Sequence, residues 1–251
     1  MITIKNKLAI QKMQTAGSHI AEIFELLKTI VVEGKTSLEI DSFIASQLQK
    51  RGLVSATKGY KGYKHVCCVS IDDEVVHGVP GKRIIKNGDL VKVDICASFK
   101  GYCADAARTY AVGAVPEKVY SLINAAQLAL DKGIMNARAG NRLTDISAAI
   151  QHEVEFHGFG VIRDFAGHGI GKSMHEDPEI LNYGKSGKGP IIRAGMTFAI
   201  EPMITEGDYE VFVEEDGWTV RTKDKSMAAH VEDTVLVTDN EPLILTRLNP
   251  N

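Results

Sequence analysis

Cysteine is scarce in this 251-residue sequence, and none of its four cysteines belongs to a Cys-x-x-Cys pair. The positions Cys67, Cys68, Cys96 and Cys103 predict neither a zinc ribbon nor a disulfide framework, so we expect buried thiols in a reducing compartment. No apolar run reaches the length of a membrane span, and the first residues lack the charged and apolar parts of a secretory leader. We therefore expect a cytoplasmic protein without a membrane partner.

The sequence also lacks an excess of charge of either sign. Lysine and arginine number 29, aspartate and glutamate number 32, and the formal net charge is −3. The two signs are interspersed, which predicts no specific nucleic-acid contact. No Ser/Pro-rich linker divides the chain, so we expect one α+β domain over residues 1–251.

Helical and strand-like patterns follow one another along the chain. A long amphipathic helix is predicted over 6–30 with an interruption near Gly17, and a second helix over 36–50 with Ser37 in a cap-like position. The other predicted elements are helices over 116–138 and 143–156, strand-rich segments over 67–76, 89–112 and from 161 onward, and a surface loop over 183–190.

Two segments of the sequence recur at nearly the same offset. Residues 85–88 match 192–195, each followed after five residues by a carboxylate (Asp94 and Glu201), and residues 34–52 match 140–158. One such match could arise by chance, but two at offsets of 107 and 106 favour duplication. We predict two related halves, roughly 1–113 and 114–251, whose carboxylates converge at a pseudo-two-fold axis.

Four carboxylates and one histidine stand in short apolar or glycine-rich contexts: Asp94, Asp105, His168, Glu201 and Glu232. Asp94 and Asp105 lie in two strand-like runs that turn at Lys100-Gly101. The hairpin pairs Asp94 with Ala107, which places the two carboxylates diagonally on one face with Cα atoms about 7–8 Å apart. Without cations such a pair would repel, so the set predicts a two-metal hydrolytic site.

Glycines surround His168 in AGHGIGKSMHEDP, and His175 follows seven residues later. Glycines let backbone and substrate approach closely. A phosphate-binding loop is the alternative, but no helix start follows the glycines. A lone histidine is usually structural, yet His77 in VVHGVPG is typical of a strand end at a cleft rim, where a proton donor is useful.

Several motifs together resemble those of the methionine aminopeptidases: VKVDI, the aspartate of CADAART, GHGIGKSMHEDP, FAIEPM and VEDTVLVT. The segment 216–226 (DGWTVRTKDKS) is similar to the segment before that family's last metal ligand. The resemblance covers nearly the whole chain. The short interval between His175 and Glu201 resembles the type I enzymes, and the short segment before the first helix resembles their bacterial forms.

The resemblance implies the α+β pita-bread fold, in which helices cover a curved antiparallel sheet with an internal pseudo-two-fold repeat. It implies removal of the initiator methionine before a small second residue, by hydroxide attack on the scissile amide activated by two divalent metal ions. Asp105 and Glu232 would bridge the metals, Asp94 would bind one, and His168 and Glu201 the other. Glu201 would also handle protons. The donors suit Mn, Fe, Co or Zn equally, so the metal stays open.

The resemblance also implies substrate contacts. His77 and His175 would contact the scissile amide and stabilise the tetrahedral intermediate. The methionine pocket would be formed by Tyr60, Tyr63, Cys68, Met174 and Trp218, each of which could instead be an ordinary core residue. The expected partner is the N-terminal peptide of a nascent polypeptide, a ribosome contact is compatible with that substrate, and we expect a monomer.

Three residues depart from the family's pattern. Thr57 stands where many bacterial members have cysteine, Met174 replaces an aromatic residue, and Asp233 follows the last ligand where histidine is usual. The resulting VEDT is similar to the X-Pro dipeptidases and aminopeptidases of the same fold, although those enzymes usually carry a separate amino-terminal domain. A non-catalytic peptide-binding protein of this fold is a further alternative, but such chains typically lose ligands and this one has all five.

Overall fold

The computed structural model describes residues 2–248, and these residues form four α-helices and fifteen β-strands. The helices are α1 (Lys7–Leu27), α2 (Ser37–Lys50), α3 (Glu117–Asn136) and α4 (Leu143–Phe156). The strands are β1 (Val54–Ser55), β2 (Cys68–Ile71), β3 (Glu74–Val76), β4 (Leu90–Phe99), β5 (Tyr102–Ala111), β6 (Gly160–Val161), β7 (Ala166–Gly169), β8 (Glu176–Leu181), β9 (Thr197–Ile200), β10 (Met203–Thr205), β11 (Val211–Val213), β12 (Val220–Thr222), β13 (Ala228–His230), β14 (Glu232–Leu236) and β15 (Leu243–Ile244).

A nine-stranded antiparallel sheet forms the centre of the fold. Its main order is β1-β4-β5-β14-β9-β7-β8, with β2 added to β4 and β15 added to β14. Two three-stranded sheets, β13-β10-β6 and β11-β12-β3, lie beside it. The order of elements and the antiparallel pairing confirm the predicted α+β class, and the mainly β character of the chain after residue 161 is confirmed as well.

Two helix pairs cover the central sheet through separate apolar clusters. Helix α1 packs on β4 and β5 and α2 packs on β1 and β2, in a cluster where Val93 and Ala106 are fully buried. Helix α3 packs on β9 and β14 and α4 packs on β6 and β8, in a cluster where Phe198 and Val235 are fully buried. Because successive side chains of a strand point to opposite faces, the residues that alternate with these apolar ones point away from the helices. The site carboxylates occupy those alternate positions.

Helix α1 runs unbroken through Gly17, so the predicted interruption there is wrong. Gly17 is buried against the backbone of Leu245, and an added Cβ would lie only 2.2 Å from the Leu245 carbonyl oxygen. The glycine therefore permits close packing of the C-terminal segment on the helix and does not break it. The helix ends at Leu27 rather than at the predicted Ile30.

Helix α2 begins with a capping box one residue earlier than predicted. Thr36 Oγ1 accepts a hydrogen bond from Glu39 N at 3.2 Å, and Glu39 Oε2 accepts one from Thr36 N at 2.8 Å. The cap is thus Thr36 and not Ser37. Ser37 Oγ instead accepts a hydrogen bond from Gly81 N at 2.8 Å, which fastens the helix start to a loop.

The predicted hairpin between β4 and β5 is confirmed in its register. Asp94 pairs with Ala107, and Asp105 pairs with Cys96. The turn is at Lys100 and Gly101, with φ angles of 48° and 78°. Two consecutive residues of positive φ are the signature of a type I′ turn, which matches the twist of the strands it joins.

The division into two related halves near residue 113 stays a prediction. Two isolated bridges support it, because Thr36 pairs with Ile84 and Arg142 pairs with Ile191 at sequence offsets of 106 and 107. Within residues 2–248, no helix is long and apolar enough to cross a membrane. The four cysteines are free and buried, as expected.

Candidate active site

One cavity of about 260 Å³ gathers all twelve side chains that the sequence singled out. They are Tyr60, Tyr63, Cys68, His77, Asp94, Asp105, His168, Met174, His175, Glu201, Trp218 and Glu232. Thr57, Lys61, Val76, Cys96, Phe165, Ala166 and Met203 complete the lining. Residues as far apart in the sequence as Thr57 and Glu232 therefore line the same cavity.

Neighbouring strands of the central sheet deliver the carboxylates. Ala107 of β5 pairs with Asp94 on β4 and with Glu232 on β14, so these two acidic residues flank β5 at the same level. Asp105 lies two residues from Ala107 and on the same face. On the other side of β14, His168 of β7 pairs with Ala199 of β9, and Glu201 follows the end of β9.

Burial makes this cluster electrostatically costly when no cation is present. Burial and the neighbouring Asp105 carboxylate raise the pKa of Asp94 well above its usual range. Burial, with the Glu201 charge, raises the pKa of Asp105 to about 7, and burial raises that of Glu201 to about 8. Burial and four acidic neighbours raise the pKa of Glu232. Divalent cations would reverse this penalty and favour four ionised carboxylates.

Unpartnered atoms show that the cluster fits metal ions. Asp105 Oδ1, Glu232 Oε1 and His230 Nε2 are buried and have no hydrogen-bond partner among the described residues. Buried polar atoms in native proteins are nearly always partnered. Ligand atoms of Asp105, His168 and Glu232 lie within 4.8 Å of one another, as do those of Glu201, His230 and Glu232. These two overlapping groups, which share Glu232, could each hold an ion.

The tautomer of His168 is set by its backbone contact. His168 Nδ1 lies 2.9 Å from the carbonyl oxygen of Gly169, which can only accept, so Nδ1 carries the proton and donates. The lone pair is then on Nε2, the atom that lies 3.5 Å from Glu201 Oε1. Burial lowers the pKa of this imidazole to about 4, so it is neutral and free to bind a cation.

Two further imidazoles line the cavity beside the cluster. His77 has a positive φ of 59°, a strained backbone for a residue other than glycine, and its ring meets Phe165 edge-on at 5.4 Å. Burial lowers the pKa of His77 to about 4 and also lowers that of His175. His175 lies with its ring 4.4 Å from that of His168. Both rings are therefore neutral and adjacent to the cluster.

Aromatic rings form an apolar wall of the cavity. Tyr63 packs edge-on against Trp218 with ring centroids 4.9 Å apart, and its hydroxyl donates to the carbonyls of Cys67 and Gly78 at 3.2 and 3.1 Å. The side chain is thereby fixed in place. Cys68 is buried and pairs with Asp94, and burial raises the pKa of its thiol, which keeps it neutral and unreactive.

Comparison with known proteins agrees with this geometry. The profile of metallopeptidase family M24 matches residues 11–239. A methionine aminopeptidase of Clostridium acetobutylicum is 45% identical over 98% of this chain and 99% of its own length, and methionine aminopeptidase 1 of Bacillus subtilis is 40% identical over 99% and 100%. The crystal structure of a methionine aminopeptidase from Thermotoga maritima matches with a TM-score of 0.97, 45% identity, and coverage of 99% and 100%.

The chain belongs to metallopeptidase family M24, among the methionine aminopeptidases. The predicted pita-bread fold is thereby confirmed, as is the resemblance to the bacterial enzymes. Prolidase from Pyrococcus furiosus shares the M24 fold with a TM-score of 0.79 but is only 23% identical, and this chain covers 66% of it. That likeness shows the fold alone and gives the X-Pro alternative no further support.

The structure gives Asp233 a structural role in this M24 peptidase. Asp233 is fully buried, and it accepts hydrogen bonds from Arg108 Nη2 at 2.7 Å, Thr246 Oγ1 at 2.8 Å and Arg247 Nε at 2.6 Å. Its side chain thus ties β14 to β5 and to the C-terminal segment. Asp233 does not line the cavity, so we expect its resemblance to the X-Pro branch to concern stability and not substrate choice.

The sequence patterns did not point to His230, whose ligand atom lies within 4.8 Å of those of Glu201 and Glu232. It is 2% exposed, and its Nε2 lies 3.4 Å from Glu201 Oε2. A signal was present in the sequence, because His230 precedes Glu232 by two residues and the strand period of two places such a pair on one face. No glycine or proline adjoins this histidine, whereas such neighbours drew attention to His77 and His168.

Proposed function

We propose that this chain removes the initiator methionine from peptides and nascent proteins whose second residue is small. The observation that supports this proposal is that a candidate metal cluster and an apolar wall line the same cavity. A buried cluster of carboxylates and imidazoles with unpartnered atoms lies next to an apolar wall built from Tyr63 and Trp218. The first feature suits amide hydrolysis and the second suits an unbranched thioether side chain.

Five residues would hold the metal ions in this proposal. Asp105 and Glu232 would bridge two divalent cations, Asp94 would bind one of them, and His168 and Glu201 the other. Bound there, the cations supply Lewis acidity and lower the pKa of water, which provides a nucleophile at neutral pH. Four ionised carboxylates balance the charge of two divalent cations, and the donors leave the choice among Mn, Fe, Co and Zn open.

The remaining polar residues of the cavity would bind the peptide and move protons. Glu201 would carry a proton from water to the leaving amine. His175 and His77 are neutral imidazoles that can donate hydrogen bonds to the scissile amide and to the oxyanion that develops from it. Burial in a cavity of about 260 Å³ strengthens each of these contacts, because the local dielectric is low.

The lining also suggests the specificity. Tyr60, Tyr63, Cys68, Met174 and Trp218 would receive the methionine side chain, and the small cavity leaves little room for a bulky second residue. We propose in addition that the protein acts in the cytoplasm as a monomer on the N-terminal peptides of nascent chains, where a ribosome contact would bring enzyme and substrate together.

Three peptides separate this function from its alternatives. Met-Ala-Ser, Met-Ile-Ser and Arg-Pro-Pro are offered at equal concentration to the protein with added Mn or Co, and to a chelated sample. We expect rapid cleavage of Met-Ala-Ser only, abolished by the chelator. Preference for Arg-Pro-Pro would establish an X-Pro peptidase instead, and no cleavage by a protein with both cations bound would favour a peptide-binding function.

A further inference from the structure

His230 is a buried imidazole that the proposed function leaves without a task. It ends β13, where it pairs with Met203 of β10, and its backbone N–H donates to Thr109 Oγ1 at 3.2 Å. The residue is therefore fixed by backbone contacts on both sides. Its side chain extends into the interior, 2% exposed, where Nε2 makes no hydrogen bond with any described residue.

The unpartnered Nε2 of His230 indicates that a group absent from the protein chain binds this atom. Leaving a buried polar atom unsatisfied costs roughly 1–3 kcal/mol, and native proteins seldom tolerate it. Five buried side-chain atoms in residues 2–248 lack a partner. Two of the others, Asp105 Oδ1 and Glu232 Oε1, belong to proposed metal ligands. His230 Nε2 is thus buried and unpartnered in the same way as two atoms that are expected to bind a cation.

Glu201 has an imidazole beside each of its two carboxylate oxygens, and this arrangement favours a metal-binding role for His230. Glu201 Oε1 lies 3.5 Å from His168 Nε2, and Glu201 Oε2 lies 3.4 Å from His230 Nε2. Neither contact has hydrogen-bond geometry. The two imidazoles thus present the same atom to the two oxygens of one carboxylate, and His168 is already a proposed ligand.

We propose that His230 is a sixth protein ligand of the metal centre, binding through Nε2 together with Glu201 and Glu232. One ligand atom from each of these three residues lies within 4.8 Å of the other two, which is close enough for a common ion. The inference rests on the proposed metallopeptidase function, because it requires that the cluster bind metal at all.

A second imidazole would alter which metal the centre prefers. Carboxylate oxygens suit Mn and Mg, whereas imidazole nitrogen suits Zn, Cu, Fe and Ni, and in the Irving–Williams order Co(II) binds such donors more tightly than Mn(II). Since imidazole is neutral, the addition leaves the charge balance of four carboxylates and two cations unchanged. His230 would therefore favour Co over Mn at the cation that it binds, without changing the number of ions held.

Cobalt provides a direct count of the imidazole ligands. In the Co(II)-loaded protein with 15N-labelled histidine, each ligand imidazole gives a paramagnetically shifted exchangeable N–H resonance. We expect two such resonances in the wild-type protein and one in either His230→Gln or His168→Gln. His77→Gln is the matched control, because it removes a cavity imidazole that is not a proposed ligand and should leave two.

Calorimetric titration with Co(II) and Mn(II) provides the second readout. We expect His230→Gln to weaken one of two Co sites by more than the roughly 10–100-fold that loss of an outer partner of a metal ligand costs. The Mn affinity should fall less, so the Co-to-Mn preference should decrease. Circular dichroism establishes that the variants are folded.

The outcomes separate this inference from the proposed function. Wild-type protein that binds two Co ions but shows one shifted imidazole resonance overturns the ligand role of His230 alone, and this measurement needs no variant to fold. The ligand role is likewise overturned if His230→Gln keeps both resonances and both affinities, even if its turnover falls. Wild-type protein that binds no Co overturns both the inference and the function on which it rests.

Discussion

His175 Nδ1 lies 3.1 Å from the hydroxyl oxygen of Tyr60, and this hydrogen bond joins a proposed catalytic imidazole to the wall of the methionine pocket. The two rings are tilted against one another with centroids 5.2 Å apart. Tyr60 begins a single 3-10 turn (Tyr60–Gly62), and Gly59, Lys61 and Gly62 around it all have positive φ angles. A side chain inserted in the proposed pocket would therefore contact a residue that orients the proposed catalytic ring.

We expect His175→Ala to lower kcat by about 10²–10³ with little change in KM, because the imidazole acts on developing oxyanion charge. Tyr60→Phe should lower kcat by roughly 2- to 10-fold, the value of one hydrogen bond of about 0.5–1.5 kcal/mol. A double-mutant cycle provides the measurement. If Tyr60 acts through His175, adding Tyr60→Phe to His175→Ala should leave kcat unchanged. Independent losses would contradict the link, and a pure KM effect in His175→Ala would make that residue a positioning group.

Asp105 is the carboxylate on which the proposed metal cluster depends most, because it would bridge both ions. Asp105→Ala should abolish activity and reduce bound metal, while the fold survives because the side chain lies at the cavity and not in the apolar clusters. Metal analysis beside circular dichroism measures both. Asp239→Ala is a matched control, since Asp239 is exposed and outside the cavity. Full metal content with normal turnover in Asp105→Ala would refute the assignment.

Replacing the Asp105 carboxylate by a neutral amide should change the melting temperature in opposite directions in metal-loaded and metal-free protein. With cations bound, Asp105→Asn removes an ionic ligand and should lower the melting temperature. In chelated protein, Asp94, Asp105, Glu201 and Glu232 must either repel one another as like charges or take up protons that they do not hold when unfolded, so the same substitution should raise it. One kcal/mol corresponds to about 2–4 °C for a chain of this size. Scanning calorimetry of both proteins, loaded and chelated, provides the measurement. A decrease in both states would argue against charge crowding.

Asp233 should matter for stability and not for specificity. Asp233→Ala leaves Arg108 and Arg247 without their buried carboxylate and should lower the free energy of unfolding by about 3–5 kcal/mol. The milder Asp233→Asn keeps the shape and should, like the wild-type protein, cleave Met-Ala-Ser and not Arg-Pro-Pro. Denaturant unfolding and the two peptides provide the measurements. Cleavage of Arg-Pro-Pro by a folded Asp233→Asn variant would instead place this residue among the determinants of substrate choice.

The parts of the fold that could be predicted from the sequence are those with a local physical cause. Strand alternation and the turn at Lys100-Gly101 placed Asp94 opposite Ala107, which the structure confirms. The amphipathic pattern over 6–30 predicted α1 for the same reason. The predicted helix interruption at Gly17 is wrong because Gly17 packs against Leu245, a residue near the other end of the described chain. A local sequence pattern contains no information about a contact between residues so far apart.

The candidate site divides along the same line. Residues in distinctive local contexts, such as His168 between two glycines, were found, whereas His230 in an ordinary apolar run was not. Its significance comes from the contact with Glu201, which depends on how β9, β13 and β14 meet. Convergence of this kind is a property of the tertiary structure, and neither composition nor periodicity contains it.

Met174 sets the last prediction, because it lines the cavity where an aromatic residue is usual in the family. Methionine is unbranched and adapts its shape, so it should loosen the slot without closing it. Norleucine should therefore replace methionine in the substrate with modest loss, since small differences in an apolar pocket are worth only about 1–3 kcal/mol. A charged or β-branched first residue should not be cleaved.

Met174→Phe should narrow the slot and increase the discrimination between Met-Ala-Ser and norleucine-Ala-Ser. A phenyl ring is rigid, so it adapts less than methionine does to a norleucine side chain in the substrate. Leu128→Phe, on the exposed side of α3, is a control that adds a ring outside the cavity. The ratio of kcat/KM for the two peptides measures the effect. An unchanged ratio in Met174→Phe would mean that this side chain does not touch the first residue of the substrate. A bulky second residue should block cleavage by crowding the cluster, so kcat/KM for Met-Ile-Ser should be far below that for Met-Ala-Ser in the wild-type protein and in both variants.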